Sequence, residues 1–289
     1  YDDGLVFDKS TNELFYFCYE RDREALVRTA LSQSYHAQPL TVTFDGDELS
    51  AQEHAKIVAR VQEHIRAGNT FQCEVGLKSK YTIEGDTLRI YERLREVNPS
   101  PFMYYLKFGD RIIIGASPEL LFSLRDGEMT TKPLAGTTGR GKTEAEDQQL
   151  ARALMNNEKE RAEHVMLVDL HRNDIGRVAQ FGTVRVRDLM KVVRFSHVQH
   201  LSSEVSGIIK PSEDAFSALA SNFPMGTICG TPKVETLKII HDNEREARGP
   251  YGGGVGQFGF NGDCNHAITI RSFLSKDNTL HLQAGGGLV

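Results

Sequence analysis

The sequence predicts one large mixed domain rich in antiparallel strands, an α/β (α+β) fold. Segments in which apolar and polar residues alternate, as in half-buried strands, recur along the chain between capped helical segments. Asn261-Gly262 is the strongest hairpin signal and joins two of the predicted strands as antiparallel neighbours. No internal repeat, low-complexity tract or linker divides the sequence. We therefore expect residues 1–49 and 50–289 to form one compact unit.

The composition is that of a soluble globular protein. The 289 residues are 39% hydrophobic and 25% charged, with a formal net charge of -5. This charge gives no reason to expect a nucleic-acid partner. We find neither an apolar run of membrane-spanning length nor a secretory leader. The four cysteines form no CxxC pair, which favours reduced thiols and predicts a cytoplasmic protein without a membrane partner.

The first half of the chain predicts two helices and five strands. In order, they are a hairpin at Leu5–Phe7 and Leu14–Cys18, a helix from Ser50 to Gly68, a strand at Thr70–Leu77, a helix at Leu88–Val97, and strands at Phe102–Phe108 and Arg111–Ala116. Ser50 and Glu53 have capping-box spacing. Alternation along the strand that follows places Gln72 and Glu74 on one face. Pro118 ends regular pairing, so Glu119 is expected at a strand terminus.

The second half begins with a long helix and ends in strands. In order, we predict a helix from Thr143 to Asp169, strands at Thr183–Arg187 and Ser196–Ile209, a helix capped by Ser212, a helix from Thr231 toward His241, and strands around Asn261-Gly262. Thr231 and Pro232 have the residue types of an N-cap and first helical position. The glycines and threonine ahead of them form a natural anion cradle. Arg271 is predicted on the strand face of Ala267 and Thr269.

The long helix carries paired acids. Glu160, Glu163 and His164 fall at i, i+3 and i+4 and share a helix face. Val165–Val168 then make the helix apolar on every side, as in buried helices. Two carboxylates where a helix enters the interior suit Mg²⁺, a hard ion that keeps several waters. On the residues alone, a solvated turn in which Lys159 pairs with Glu163 is the alternative.

Two nucleotide-binding patterns are also present. Residues 136–143 match the P-loop expression, and 165–169 imitate a Walker B strand. However, residues 128–133 are polar and contain proline, unlike the buried strand that a P-loop follows. A GxGxxG match at 254–259 precedes a strand and hairpin where a helix is required. We therefore expect no ATP site, and a P-loop nucleotide-binding module is kept as the alternative outside the family described next.

Nine stretches in order carry a family resemblance. They are IRAGNTFQ (65–72), GASPELL (115–121), KPLAGTTGRG (132–141), NEKERAEHVMLVDLHRNDIGRV (157–178), SHVQH (196–200), FPMGTICGTPK (223–233), GPYGGGVG (249–256), AITIR (267–271) and AGGGLV (284–289). Through them the chain from about Ser50 to Val289 resembles the chorismate-utilising enzymes, most closely component I of anthranilate synthase. The resemblance implies a large sandwich of antiparallel sheets with helices outside and a Mg²⁺-dependent site for chorismate.

The resemblance also implies the role of each site residue. Glu163 is expected to bind Mg²⁺ directly and Glu160 through water or from the second shell. Glu119 is expected to protonate the departing ring hydroxyl, and His200 to assist pyruvate elimination. The remaining residues are expected to bind substrate carboxylates or to line the site: Thr227, Gly285 and Gly287 for the ring carboxylate, Tyr251 and Arg271 for the enolpyruvyl carboxylate, and Ala135 and Gly136 beside them.

Two positions discriminate between reactions within the family. Relatives that add water resemble one another in a Lys base where this chain has Gln72, and an amide cannot act as a base near neutral pH. Ammonia is therefore the expected nucleophile. One large group of aminodeoxychorismate synthases has Lys where this chain has Ala135, so anthranilate is the favoured product. Aminodeoxychorismate synthase, isochorismate or salicylate synthase, and a non-catalytic regulatory homologue are the alternatives.

The family pattern implies partners and further segments. No stretch resembles a glutaminase site, so ammonia is expected from a separate glutamine amidotransferase subunit in a hetero-oligomer. Residues 1–49 are expected to be the remnant of an N-terminal region, and 50–289 a catalytic domain whose C-terminal end is missing. In the family, an acidic segment that supplies further Mg²⁺ ligands follows the glycine run, so a chain ending at Val289 is expected to bind Mg²⁺ weakly.

Overall fold

The computed structural model describes residues 2–289 and divides the chain into two units, Tyr1–Pro39 and Leu40–Val289. The first unit holds the hairpin β1 (Asp3–Asp8) and β2 (Glu13–Cys18), followed by helix α1 (Glu24–Leu31). The predicted hairpin is confirmed. The division lies before the expected boundary at residue 49, because the strand at residues 40–47 pairs with a sheet of the second unit.

The second unit contains fourteen strands and seven helices among its residues. The strands are β3 (Leu40–Asp47), β4 (Gln72–Gly85), β5 (Phe102–Phe108), β6 (Arg111–Ser117), β7 (Leu120–Arg125), β8 (Glu128–Thr131), β9 (Leu134–Gly139), β10 (Arg185–Arg194), β11 (Val198–Ile208), β12 (Gly230–Thr231), β13 (Gly254–Phe258), β14 (Cys264–Ile268), β15 (Ser272–Lys276) and β16 (Thr279–Leu288). The helices are α2 (Ala51–Arg66), α3 (Leu88–Val97), α4 (Glu144–Asn156), α5 (Glu158–Val178), α6 (Ala215–Asn222), α7 (Gly226–Cys229) and α8 (Lys233–Asn243).

These strands form two seven-stranded sheets in which every pair is antiparallel. The first sheet has the order β12-β4-β16-β15-β6-β5, with β3 also pairing with β4. The second has the order β10-β11-β8-β7-β14-β13, with β9 also pairing with β11. The mixed fold rich in antiparallel sheets that the sequence predicts is confirmed.

Helices cover each sheet and create two apolar cores. Phe122 of β7, Ile175 of α5 and Met225 before α7 belong to the core on the second sheet. Val61 of α2 and Ile239 of α8 belong to the core that covers β4 and β16 of the first sheet. Removing this apolar surface from water is the main favourable contribution to folding. The two sheets are thus each held by their own layer of helices.

The predicted long helix is two helices. Asn157 separates α4 from α5, and its side chain accepts a hydrogen bond from the Glu160 backbone N–H at 3.1 Å. An asparagine in extended conformation satisfies the free N–H groups of a new helix and ends the previous one. Thr143 caps α4 as predicted. The expectation that the apolar stretch 165–168 is buried on every side is wrong, because Val165 is 50% exposed.

Two other helix starts differ from the prediction. Asp214, not Ser212, caps α6, and it forms a capping box with Ser217. Thr231 lies in β12, so the N-cap of α8 is Pro232. Both shifts are one or two residues, within the usual error of helix ends read from sequence. The capping box of Ser50 and Glu53 at α2 is confirmed.

The chain passes between the two sheets at two adjacent segments. Pro118 and Glu119 connect β6 to β7, and residues 269–271 connect β14 to β15. Backbone hydrogen bonds join the two passages, from Ala116 N–H to Arg271 O at 3.2 Å and from Ile268 N–H to Glu119 O at 3.1 Å. Arg271 has a left-handed φ of 51° and therefore does not continue the strand of Ala267, contrary to the prediction. The seam between the sheets thus carries an acidic residue, Glu119, and a cationic residue, Arg271, on adjacent segments.

None of the helices in residues 2–289 combines the length and the apolar character that crossing a bilayer requires. All four cysteines are free thiols, as the sequence predicts.

Candidate active site

A cavity of about 500 Å³ opens beside this seam. It is lined by all but one of the residues singled out in the sequence: Gln72, Glu119, Ala135, Gly136, Glu163, His200, Thr227, Tyr251, Arg271, Gly285 and Gly287. Glu160 is not among the lining residues. The side chains come from both sheets, from α5 and from α7, so distant parts of the sequence meet at one place.

Glu119 is an almost fully buried acid of the cavity. Burial raises the pKa of its carboxyl to about 8, an effect that the nearby Glu74 carboxylate increases and the Thr227 hydroxyl and Arg271 oppose. Glu119 Oε1 and Thr227 Oγ1 are both buried, and neither forms a hydrogen bond of normal distance and angle, although the Thr227 hydroxyl lies near enough to lower the pKa of Glu119. Buried polar atoms of folded proteins are nearly always paired. These two unpaired oxygens therefore indicate a place where a polar ligand binds.

Gln72 and Glu74 form one wall of the cavity from strand β4. A Cβ at Gly287 would lie 3.0 Å from Gln72 Nε2, and a Cβ at Gly285 would overlap Glu74 Oε1. The glycines of β16 therefore leave room for two polar side chains of the neighbouring strand. Gln72 Oε1 is a third buried oxygen without a partner.

Glu74 is the functional candidate that our sequence analysis did not assign. It is 4% exposed, and its Oε1 accepts a hydrogen bond from the Tyr251 hydroxyl. Burial raises the pKa of Glu74 to about 7, against the opposing effects of Tyr251 and Arg248. Burial, with smaller contributions from Glu74, also raises the pKa of Tyr251. The signal available in the sequence was its position on the strand face of Gln72.

A bulge in the second sheet positions His200. Gly136 in β9 has a φ of 68°, and the pairing register of β9 with β11 shifts there, between His200 and Leu201. Glycine adopts this conformation without the steric cost of a Cβ. His200 Nδ1 lies 3.1 Å from the Gly136 carbonyl oxygen, which can only accept a hydrogen bond. The Thr137 hydroxyl lies 3.1 Å from the same nitrogen and can either donate or accept. The Gly136 carbonyl therefore favours the tautomer that carries its proton on Nδ1 and leaves Nε2 as an acceptor.

Burial keeps this histidine neutral. It lowers the pKa of His200, and the positive charge of Arg271 acts in the same direction, while the hydrogen bond to Gly136 opposes both. A neutral imidazole with a free Nε2 can accept a proton from a bound ligand. Ala135, beside Gly136, is buried and pairs with Leu201 of β11.

The two acids of α5 fit a shared cation site. Glu163 lines the cavity, and Glu160 Oε2 would lie 3.1 Å from a Cβ at Gly136. Burial raises the pKa of Glu163, and the negative charge of Glu160 raises it further. Two half-buried carboxylates that repel one another, one of which lines a ligand cavity, suit a hard dication completed by water and an anionic substrate. Within residues 2–289, no group of three or more His, Cys, Asp or Glu residues forms a closed metal site.

The P-loop match has a different structure. Residues 136–139 belong to strand β9 and pair with β11, so they form no loop around a phosphate. The Walker B imitation lies in helix α5, as predicted. One argument against the P-loop was wrong. We expected no buried strand at residues 128–133, but residues 128–131 form strand β8, in which Met129 and Thr131 are buried. The GxGxxG match forms β13 and a hairpin, as expected.

Comparison with known sequences identifies the family of this chain. Residues 1–289 match the family described as chorismate binding enzyme. The chain belongs to this family. The family resemblance noted in the nine sequence stretches is thus confirmed.

Individual members of the family are closely similar. The chain is 52% identical to anthranilate synthase component 1 of Leptospira biflexa, over 100% of this chain and 64% of that protein. It is 42% identical to the protein of the same name from Methanothermobacter marburgensis, over 99% of this chain and 62% of that protein. The crystal structure of anthranilate synthase component I from Streptococcus pneumoniae TIGR4 superposes with a TM-score of 0.90 at 35% identity, covering 100% of this chain and 68% of that one. The chain thus spans less than two thirds of the length of these first two relatives.

Proposed function

We propose that this chain carries the active site of a lyase that converts chorismate and ammonia to anthranilate and pyruvate, in tryptophan biosynthesis. The observation that carries the proposal is the convergence of Glu119, His200, Arg271 and Gln72 on one cavity. This set provides a proton donor, a proton acceptor, an anion-binding cation and a side chain that cannot activate water. The similarity to the two anthranilate synthase relatives supports the same assignment.

Substrate binding would depend on the two carboxylates of chorismate. Arg271 offers a planar guanidinium that can bind a carboxylate through two hydrogen bonds. Tyr251 lines the same cavity, with its single O–H donated to Glu74. The unpaired Thr227 hydroxyl and the backbone at Gly285 and Gly287 would bind the ring carboxylate. Thr227 lies in the first turn of α7, next to Glu119. The bound ring would therefore lie against the proton donor.

Proton transfers would then follow from the states of two side chains. Glu119 is protonated at neutral pH because burial raises its pKa to about 8, so it can protonate the departing ring hydroxyl. His200 is neutral with Nε2 free, so it can accept the ring proton that must leave when pyruvate is eliminated. Each group is thus in the protonation state that its role requires.

Mg²⁺ is the proposed cofactor. Glu163 would hold the ion directly and Glu160 through a water molecule, with a substrate carboxylate completing the coordination. The ion would supply positive charge that neutralises the bound carboxylate. Without the ion, the negative charges of the substrate carboxylate and of the two acids of α5 would repel one another.

Ammonia would come from a glutamine amidotransferase subunit in a cytoplasmic hetero-oligomer. The names of the two relatives, which number the protein as component 1, support a second component. Gln72 lines the cavity with an unpaired Oε1 that can accept a hydrogen bond from ammonia. Ala135 adds no cationic side chain at its position in the lining, in line with anthranilate as product.

One assay tests the proposal. The purified natural full-length protein is incubated with chorismate, Mg²⁺ and ammonium, and anthranilate is followed by its fluorescence. We expect anthranilate and pyruvate in equal amounts. Aminodeoxychorismate or isochorismate as the sole product would assign another reaction of the family, and no chorismate turnover at any ammonium concentration would contradict the proposal.

A further inference from the structure

Glu74 is a buried acid in the proposed active site to which the proposed mechanism gives no role. It lies on β4 two residues after Gln72, and both side chains cross the glycines of β16 toward the cavity. Its carboxylate raises the pKa of Glu119, so the two carboxyl groups lie within electrostatic reach of each other. Burying a second acid so close to a proton donor costs folding free energy, which suggests that its charge has a function.

The amination step needs a proton acceptor. When ammonia attacks a ring carbon, the new substituent carries a positive charge and must lose a proton before it becomes an amine. Gln72, which lines the cavity, has no basic atom for this task, although its unpaired Oε1 can hold one N–H of ammonia. Among the residues of this wall, Glu74 is the group able to take the proton.

We propose that Glu74 is a catalytic base of this site, accepting the proton that the attacking ammonia must lose while Gln72 orients that ammonia. The inference rests on the proposed amination of chorismate. The ammonia lone pair forms the C–N bond, the ring double bond shifts, and the C–O bond of the ring hydroxyl breaks. Glu119 gives its proton to the departing oxygen, which leaves as water. Glu74 takes one proton from the new ammonium substituent, so protons and charge balance.

The groups around Glu74 suit a base. The Tyr251 hydroxyl donates to its Oε1 and so holds the carboxylate in one orientation. Arg248 lies on the same side, but its guanidinium forms a two-oxygen ion pair with Glu244, which largely neutralises it. Glu244 itself raises the pKa of Glu74, and the Glu74 carboxylate in turn raises the pKa of Glu119. Glu74 is therefore neither fixed as an anion by an unshared cation nor exposed to water.

The pair of carboxyls has the order of acidity that the reaction needs. The pKa of Glu74 is raised to about 7 and that of Glu119 to about 8, in both cases chiefly by burial. Between these values Glu74 is largely ionised while Glu119 is largely protonated. Pairs of carboxyls separated in this way are how active sites assign a base and an acid.

The test compares Glu74→Gln with Glu84→Gln in the natural full-length protein. Glu84 lies on the same strand with its side chain exposed, so the second variant makes the same substitution away from the cavity. Initial rates of anthranilate formation are measured from pH 6 to pH 9 and expressed per concentration of free ammonia. Chorismate binding is measured by calorimetry, and thermal unfolding shows whether each variant is folded.

We expect Glu74→Gln to lower kcat/KM for ammonia by roughly 10²–10⁴-fold, the range of general base catalysis. Its affinity for chorismate should change less than about threefold, and the fall in rate that we expect for the wild type below pH 7 should disappear. Glu74→Asp, which keeps an acid, should retain that fall. Glu84→Gln should match the wild type.

Two outcomes separate the inference from the proposed function. If the wild type makes anthranilate and Glu74→Gln keeps its rate and its pH profile, the role of Glu74 is wrong and the proposed function stands. If folded Glu74→Gln loses activity only because chorismate binding fails, Glu74 is a binding residue and the inference is also wrong. If the wild type makes no anthranilate, both proposals fail together.

Discussion

Lys233 Nζ donates a hydrogen bond to Asp174 Oδ2 at 2.7 Å, and this ion pair joins the N-terminus of α8 to the last turns of α5. Both side chains are almost fully buried. Burial raises the pKa of Asp174 to about 6, and the charge of Lys233 opposes that rise. The pair therefore connects the helix that carries the paired acids to the helix that follows the Thr227 segment.

Asp174→Asn should destabilise the fold by about 3–5 kcal/mol, because it leaves Lys233 buried without its counter-charge. The matched control is Glu96→Gln, which breaks the exposed pair of Glu96 with Arg93 and should cost at most about 1 kcal/mol. Urea unfolding of both variants measures the difference. A loss of equal size in the two would show that burial of the Lys233 pair has no energetic importance.

Glu163→Gln should abolish Mg²⁺-dependent turnover while the fold survives. The amide keeps the shape of the side chain but removes the charge that a hard dication needs, and loss of even an indirect partner costs roughly 10–100-fold in metal affinity. Glu158→Gln, exposed at the start of the same helix, is the control. Mg²⁺ titration of activity, with circular dichroism for the fold, gives the answer. Normal turnover by the Gln variant would make Glu163 a surface acid.

Glu119→Gln should be less active but more stable than the wild type, increasingly so as pH rises. In the wild type, native Glu119 keeps its proton up to about pH 8 whereas an unfolded Glu ionises near 4.5. The native state therefore holds more protons between these values, and its free energy of unfolding falls as pH rises through that window. The Gln variant lacks this fall, and each pKa unit corresponds to about 1.4 kcal/mol.

The measurement is the difference in unfolding free energy between Glu119→Gln and the wild type at pH 5, 6.5 and 8. It should grow with pH, to on the order of a few kcal/mol, and level off above pH 8. A constant difference across this range would mean that the pKa of Glu119 is not raised.

Lys142→Ala should leave chorismate chemistry largely unchanged, and neither protein should bind ATP saturably. Lys142 is exposed, and Gly136 and Gly139 of the P-loop pattern belong to paired strand β9. Nucleotide titration by calorimetry, with activity measured in parallel, tests both statements. Micromolar ATP affinity that the substitution removes would restore the P-loop interpretation.

Elements with strong local signals could be predicted closely from the sequence. The capping box of Ser50 starts α2 as expected, and α3 (Leu88–Val97) and β5 (Phe102–Phe108) have the predicted bounds. The break at Asn157 was missed although its signal was present, since Asn157 and Glu160 have N-cap spacing. Strand β8 was missed because its buried face includes Thr131, whose hydroxyl donates to the Leu121 carbonyl oxygen.

The candidate site shows a different limit. Motifs identified its residues one by one, but the contacts among them depend on pairing between remote strands. In the sequence, Glu74 looks like an ordinary strand acid. Only the structure shows that its carboxyl group turns into the cavity, across Gly285 of the neighbouring strand β16. The left-handed backbone of Arg271 likewise depends on the passage between sheets and not on local preference. Long-range geometry of this kind has no signature in a single sequence.

The pairing of β4 with β16 also determines when the cavity can form during synthesis. Cys73 is paired with Leu288, so about 200 residues separate the two strands that make the wall of Gln72 and Glu74. A ribosome adding roughly 5–20 residues per second needs on the order of 10–40 s to supply that stretch. During this interval one edge of β4 has no partner, although β3 is already available for the other. A nascent chain that has not reached β16 therefore cannot hold substrate, and it exposes a strand edge that chaperones or aggregation can capture.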